Sequence, residues 1–186
     1  MLQLVLKAKA VSDGRINLWG FGTLRPYAGF AVTGVTPEPF QRMVLFAFCP
    51  LFAALYPLTQ IYQFEEDRRR GDRTLALMIG IRRSLLIAVA AASFAFGIFV
   101  AAGLRAGWRL HGSDPARWAG VIFAFLVWAR VLVPWLLSYE SITDAEHHLG
   151  LYRGLAAWAM TDIVVILACA IRSVDRGAGW RPDAKL

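Results

Sequence analysis

Long apolar runs, separated by short connections rich in charge or glycine, dominate this sequence. A helix needs about 20 mostly apolar residues to cross the hydrocarbon layer of a membrane. Five segments come near that length: Ile16 to Thr33, Phe40 to Tyr62, Leu85 to Leu104, Trp118 to Leu137 and Leu155 to Ile171. The pattern predicts an all-α, polytopic membrane helix bundle of about five transmembrane helices, with residues 1–186 as a single membrane domain.

The first segment is irregular, because glycines and a proline interrupt it and Arg25 lies well inside it. We expect this helix to kink and to face the protein interior. Arg130 in the fourth segment and Asp162 in the fifth are also ionisable groups at membrane depth. Such groups usually face a partner or a wet cavity, and for Arg130 we expect an interhelical pair.

Composition agrees with a membrane protein, since 58% of residues are hydrophobic and the mean hydropathy is +0.50. This is too apolar for an ordinary soluble domain. The net charge is +7, but the basic residues lie between apolar runs, so we interpret them as topology signals and expect no nucleic-acid partner. Cys49 and Cys169 both fall inside apolar runs, which argues against a disulfide framework or a metal cluster.

The orientation follows from the distribution of Lys and Arg. Placing Lys7, Lys9 and Arg15 in the cytoplasm puts the connection between the second and third segments there too, with its dense arginine cluster. We therefore expect a multi-pass protein of the cell membrane, with the charged turn (residues 63–83) in the cytoplasm. The start of the chain shows no cleavable signal peptide, because its apolar stretch is short and Lys7 and Lys9 follow at once.

A polar stripe runs along the second segment toward the charged turn. At about 100° per residue, Tyr56, Gln60, Gln63 and Asp67 fall on one helix face. Polar side chains inside a helix bundle cost free energy unless they are satisfied. The stripe therefore predicts a hydrated cavity that opens toward the cytoplasm.

The central part of the charged turn has the sequence Glu65-Glu66-Asp67-Arg68-Arg69-Arg70-Gly71-Asp72-Arg73, with acidic residues before basic ones. Carboxylate oxygens hold Mg²⁺, which binds phosphate oxygens, while arginine forks bind the same phosphates directly. A solvated turn whose charges only pair and fix the topology is the simpler alternative.

The run from Tyr56 to Ala76 resembles the second aspartate-rich region of the UbiA superfamily of intramembrane prenyltransferases. Lys7-Ala8-Lys9-Ala10, Asp13, Asn17 and Gly20-Phe21-Gly22 are similar to the start of that family's fifth helix. The resemblance implies a helical fold with a central cavity, where Mg²⁺ held by two aspartate-rich motifs binds a polyprenyl diphosphate. The prenyl group is then transferred to an aromatic or other lipophilic acceptor. Membrane lipid is the surrounding partner.

The resemblance also implies roles for residues of this chain. Asp67 matches the family's final aspartate, and Arg68, Gly71, Arg73, Thr74 and Leu75 match the residues after it. We therefore expect Asp67, Arg68 and Arg73 to be catalytic, and Asp67, Glu66 and Gln63 to bind the metal. We expect the substrate to be bound by Tyr56, Gln60, Gln63, Arg69, Arg70 and Arg25. For Arg25, pairing with Asp162 or reaching to the membrane interface remains open.

The chain departs from the family pattern in two ways. Tyr56 and Gln63 stand where many members carry aspartates, which should weaken Mg²⁺ binding unless Glu66 or Glu65 compensates. The family's first aspartate-rich motif is absent from the sequence. The apolar stretch Met1 to Leu6 looks like the end of a helix, so we expect helices five to nine of such an enzyme: a truncated reading frame, a fragment, or a half-protein that needs a complementary N-terminal half.

Other polar residues allow other functions. The connection from Ser138 to Gly154 contains His147 and His148, but adjacent helical side chains point about 100° apart and seldom share a metal ion. We interpret this connection as a solvated turn over the cavity mouth. One alternative function is a non-catalytic membrane subunit whose charged turn binds a partner or anionic headgroups. A small transporter using Arg25, Arg130 and Asp162 as coupling charges is another, but no internal repeat supports it.

Overall fold

A computed structural model describes residues 17–72, 74–112 and 114–177 of the chain, with side chains as far as Ala168. All regular elements in this part of the chain are helical. A π-helix, Leu18–Leu24, is followed by α1 (Arg25–Ala31), α2 (Pro39–Tyr62), α3 (Phe64–Arg70), α4 (Leu75–Ile79), α5 (Ile81–Arg105), α6 (Asp114–Ser138) and α7 (Asp144–Gly177). The predicted all-α membrane bundle is confirmed.

Four helices are long and apolar enough to cross a membrane: α2, α5, α6 and the Asp144–Ala168 part of α7. They correspond to the last four segments predicted from the hydrophobic runs. The first predicted segment is helical from Leu18 to Ala31, but it is divided into the π-helix and α1. Its interruption agrees with the expected irregularity, because small residues and Pro26 favour a change in helix geometry there.

Local sequence explains where the long helices begin. At α2, the backbone N–H of Glu38 donates to Oε1 of Gln41 at 2.7 Å, and Pro39 occupies the first helical position. At α7, the backbone N–H of Thr143 donates to Oε2 of Glu146 at 2.7 Å, while the N–H of Glu146 donates back to the Thr143 hydroxyl at 3.3 Å. These reciprocal capping boxes satisfy backbone donors that have no partner inside the helix.

Helix α2 is the central element of the bundle. In its most apolar stretch 56% of residues are buried, compared with 28% in α6 and in α7. Buried alanines lie on both α2 and α5, including Ala47, Ala54, Ala88, Ala92 and Ala95. Small residues let membrane helices approach closely, so these positions explain the tight pairing of α2 with α5.

The π-helix packs on α2 through a backbone contact. A Cβ atom added at Gly22 would lie 2.9 Å from Cα of Cys49, so only glycine fits there without a shift. The Phe21 and Phe52 rings stack beside it, with centroids 5.6 Å apart. The first helical segment therefore rests directly on the central helix.

The ends of the helices set the position of the charged turn. The C-terminal end of α2 and the N-terminal end of α7 meet, because the rings of Tyr62 and His148 lie 4.4 Å apart. Helix α6 ends at the same side, since the Trp135 indole N–H donates to Nδ1 of His147 at 2.8 Å. The charged turn thus shares one end of the bundle with the connection between α6 and α7.

Candidate functional site

The charged turn is built on the short helix α3. Gln63 precedes α3 with φ −98° and ψ 7°, which interrupts the helical path from α2. Gly71 ends α3 with φ 74°, a left-handed conformation that favours glycine. The N–H groups of Gly71 and Asp72 donate to the carbonyls of Arg68 (3.2 Å) and Asp67 (2.9 Å), which is a Schellman motif.

Most charges of α3 have a structural explanation. The acids stand in the first turn and the arginines in the last, which complements the partial charges at the two helix ends. Glu66 pairs with Arg70, and Glu65 lies 3.8 Å from Arg68. All four of these side chains are well exposed, so each pair contributes little to stability.

Asp67 differs from its neighbours because it is buried. Its side chain is only 6% exposed, and Oδ2 has no hydrogen-bond partner among the described residues. Burial raises the pKa of this carboxyl group, and the carboxylates of Asp72 and Glu66 add to the rise, while Arg70 and Thr74 oppose it. The Thr74 side chain acts from nearby, although Oγ1 of Thr74 also lacks a partner within hydrogen-bonding geometry among the described residues.

Gln60 connects the polar stripe to the charged turn. Its Oε1 atom accepts a hydrogen bond of 3.0 Å from the backbone N–H of Ala76, near the start of α4. Both residues are buried. The bond satisfies a backbone donor at the first turn of α4 and holds the end of the charged turn against α2. Gln60 is one of the residues expected to bind substrate, but its side-chain oxygen is hydrogen-bonded to the backbone of α4.

The predicted metal ligands do not converge. Gln63 is exposed, and Glu66 is exposed and paired with Arg70, whereas Asp67 is buried. Among the described residues, no group of three or more His, Cys, Asp or Glu side chains is placed to hold a metal ion. The orphaned Oδ2 of Asp67 fits one magnesium ligand. Glu66 and Gln63 do not join it in this arrangement.

The remaining predicted site residues lie in several places. Arg68, Arg69 and Arg70 are exposed on α3, and Tyr56 is half-buried on α2 with its ring 6.3 Å from that of Phe52. Arg73 lies outside the described residues, as do the N-terminal lysines used for the orientation.

Arg25 lies in a different cavity, away from the charged turn. Its guanidinium is 5.0 Å from the centre of the Phe21 ring, and it lines a cavity of about 550 Å³ together with Asp162. No ion pair between Arg25 and Asp162 is among those in the described part of the chain. Arg130 lines another cavity, so the three charges considered for a transporter are not brought together.

A second cavity, at the mouth of the bundle, joins α3 to α7. It has a volume of about 440 Å³ and is lined by Glu65, Glu66 and Arg69 from α3 and by Asp144, His147 and His148 from α7. The sequence predicts that the connection before α7 lies over the mouth of the cavity formed by the polar stripe. The cavity seen here is a different one, because its lining does not include Tyr56, Gln60, Gln63 or Asp67. The prediction of a solvated turn suits exposed His148, but His147 is only 7% exposed and is bonded to Trp135.

No protein-family model, curated protein or solved structure matches this chain. The resemblance to the UbiA superfamily therefore rests on the residues of the charged turn and on those before the second segment.

Proposed function

We propose that this protein is a membrane prenyltransferase of the UbiA type, or its C-terminal portion, which binds a polyprenyl diphosphate at the charged turn. In this proposal the protein is multi-pass in the cell membrane, and the charged turn lies in the cytoplasm. The prenyl group passes to an aromatic or other lipophilic acceptor.

The observation that carries the proposal is the state of Asp67. A carboxylate withdrawn from water is costly unless charge or hydrogen bonds compensate it, and Oδ2 of Asp67 has no hydrogen-bond partner among the described residues. Three exposed arginines follow it directly on α3. A buried carboxylate beside exposed guanidiniums suits a ligand that contains both a divalent cation and an anionic diphosphate.

One carboxylate is enough for the cation in this proposal. Mg²⁺ is usually held by one or two carboxylates together with substrate phosphates and water. Asp67 would supply the protein ligand, and Arg68 to Arg70 would bind the phosphate oxygens. The metal would supply charge neutralisation as the bond between the prenyl carbon and the diphosphate oxygen breaks, with the electron pair leaving on the diphosphate.

A non-catalytic membrane subunit is the second candidate function, and a specific observation favours it. The oxygen of Gln60 is engaged by the Ala76 backbone, and Gln63 and Glu66 are exposed whereas Asp67 is buried. In this reading the charged turn binds a partner, such as a complementary N-terminal half that carries the first aspartate-rich motif.

The test uses the purified chain in lipid nanodiscs, with farnesyl diphosphate as the probe and Mg²⁺ varied. We expect Mg²⁺-dependent binding that weakens about tenfold in Asp67→Asn, the scale of one lost charge-assisted contact. Glu140→Gln is the matched control, since it removes one exposed carboxylate from the connection between α6 and α7, outside the proposed site, and should leave binding unchanged.

Transfer separates the two functions. Prenyl transfer to a quinone-type or porphyrin-type acceptor, measured with and without a co-expressed N-terminal half, would support the enzyme. Binding without transfer in either case would favour the subunit. Absence of Mg²⁺-dependent binding, or equal binding by wild type and Asp67→Asn, would overturn the diphosphate site itself.

A further inference from the structure

A cavity between α6 and α7 lies on a different face of α7 from the charged turn. Its volume is about 530 Å³. Two arginines, Arg130 from α6 and Arg153 from α7, line it, and its other walls include Val131, Pro134, Ile142 and Leu149. It therefore combines cationic groups with an apolar surface, and it lies between two helices that are long and apolar enough to span a membrane.

Two arginines face one carboxylate in this cavity, because Glu146 is the only acid among the described lining residues and interacts electrostatically with Arg153. Within the described ranges, neither Arg130 nor Arg153 forms an ion pair. Glu146 also lines the cavity, but its Oε2 atom accepts hydrogen bonds from the backbone N–H and the hydroxyl of Thr143, at 2.7 and 3.0 Å. The Glu146 carboxylate is thus hydrogen-bonded to Thr143, the residue that precedes α7.

Both arginines lie at similar depth. Arg130 precedes the end of α6 at Ser138 by about 12 Å of helix rise, and Arg153 follows the start of α7 at Asp144 by about 13 Å. Guanidiniums at this depth reach toward the interface, and one carboxylate cannot balance the charge of two of them. A phosphate group of a membrane lipid is the anion available there.

The wall between the arginines is held rigidly. The Trp135 ring covers Gly150, where an added Cβ would lie 2.6 Å from the ring, and its indole N–H is bonded to His147. The cavity is therefore shaped by packed groups, and a ligand would meet a wall that is already formed.

We infer that this cavity binds an anionic phospholipid. Arg130 and Arg153 contact the lipid phosphate, and the apolar walls contact the part of the acyl chain nearest the headgroup. The charge complementarity and the membrane depth both favour a lipid over a soluble anion. This site is independent of the proposed diphosphate site, because it shares none of the residues of α3.

The test measures lipid retention by native mass spectrometry after purification from mixed phosphatidylglycerol and phosphatidylcholine nanodiscs. We expect Arg130→Gln/Arg153→Gln to retain about tenfold less phosphatidylglycerol than wild type, given the attraction that each basic residue contributes at a membrane surface. Arg82→Gln/Arg83→Gln is the matched control, since it removes two exposed arginines outside the cavity. Equal retention by the cavity variant and wild type, or equal loss in both variants, would overturn the inference.

A second measurement uses the wild-type protein and does not depend on the folding of a variant. A photoactivatable phosphatidylglycerol should label peptides between residues 130 and 153, and inorganic phosphate should not compete. Labelling confined to other helices would contradict the site. Displacement of the lipid by inorganic phosphate would show a soluble anion as the occupant and overturn the assignment to lipid.

Discussion

Two regions at opposite ends of the bundle each bury one charged side chain, and they treat it differently. At the start of α6, directly after the connection from α5, Arg117 is 5% exposed, forms an ion pair with Asp114 and lies 5.8 Å from the Trp108 ring. In the charged turn, Asp67 is 6% exposed, but its Oδ2 atom has no hydrogen-bond partner among the described residues. The two side chains are buried to nearly the same extent, but of the two only Arg117 has an ion pair within the described ranges.

Arg117 lies in a network of polar and aromatic contacts. Asp114 pairs with Arg117 and also accepts a hydrogen bond of 2.8 Å from the backbone N–H of Arg109. The Trp108 and Trp118 rings pack edge to face beside them, with centroids 5.3 Å apart. An ion pair of this kind stabilises the end of a helix, whereas a buried carboxylate oxygen without a hydrogen bond, such as Oδ2 of Asp67, agrees with the proposed diphosphate site.

The largest effect should come from breaking the network. We expect Asp114→Ala to lower the free energy of unfolding by about 3 kcal/mol, because it leaves the buried Arg117 guanidinium without its carboxylate. Thermal unfolding in detergent would measure this change. Arg109→Ala, which removes an exposed side chain but keeps the backbone donor, should change stability little; a similar loss in both variants would contradict this account.

A smaller effect is expected at Gln60. Gln60→Ala removes the acceptor of the buried Ala76 N–H and should cost about 1–3 kcal/mol. The loss should localise to the charged turn, so hydrogen exchange at Ala76 and at nearby amides should speed up. Gln63→Ala is the control, since this exposed glutamine makes no side-chain cap to α3. Equal exchange in both variants would argue that the hydrogen bond between Gln60 and Ala76 does not hold the charged turn against α2.

The smallest effect, and one of opposite sign, is expected at Asp67. Without Mg²⁺ and substrate, Asp67→Asn should raise the melting temperature at neutral pH by roughly 2–4 °C, because it removes a buried carboxylate whose Oδ2 atom has no hydrogen-bond partner among the described residues. The folded protein keeps the Asp67 proton to a higher pH than the unfolded chain does. Stability should therefore fall as pH rises from about 4, the ordinary aspartate pKa, through the raised pKa.

The difference between the wild type and Asp67→Asn should accordingly shrink as the pH is lowered. Melting curves across this range, with Glu65→Gln as the exposed control, would measure it. Lower stability of Asp67→Asn at neutral pH would mean that the ionised carboxylate is compensated after all, and the contrast with Arg117 would be lost.

Hydrophobic patterning predicted the long helices well, because an apolar run of membrane length has few structures open to it. It also predicted that Asp67 lies on the same helical stripe as Gln60, and both residues are buried. The spacing argument was limited at Gln63, where the backbone leaves the helical path and the side chain is exposed. Periodicity assumes a continuous helix and therefore places Gln63 beside Asp67. The Gln63 carbonyl does accept a hydrogen bond of 2.8 Å from the Asp67 N–H, but the Gln63 side chain is exposed whereas Asp67 is buried.

Contacts between distant parts of the chain could not be predicted in the same way. The bond from Ala76 to Gln60 depends on how the charged turn folds back on α2, and no local pattern encodes that path. The burial of His147 depends on Trp135, which approaches from another helix and covers Gly150. Adjacent histidines look alike in sequence, but only tertiary packing makes one buried and the other exposed.

The contact of Gly22 with Cys49 also bears on how this sequence can change over evolutionary time. Gly20 and Gly29 have no atom within 4 Å of an added Cβ, so alanine can replace either without a clash. At Gly22 even one methyl group meets backbone of α2 at 2.9 Å. We therefore expect substitutions at position 22 to be selected against, whereas Gly20 and Gly29 can be replaced by alanine without a clash. The three glycines look equivalent in the sequence.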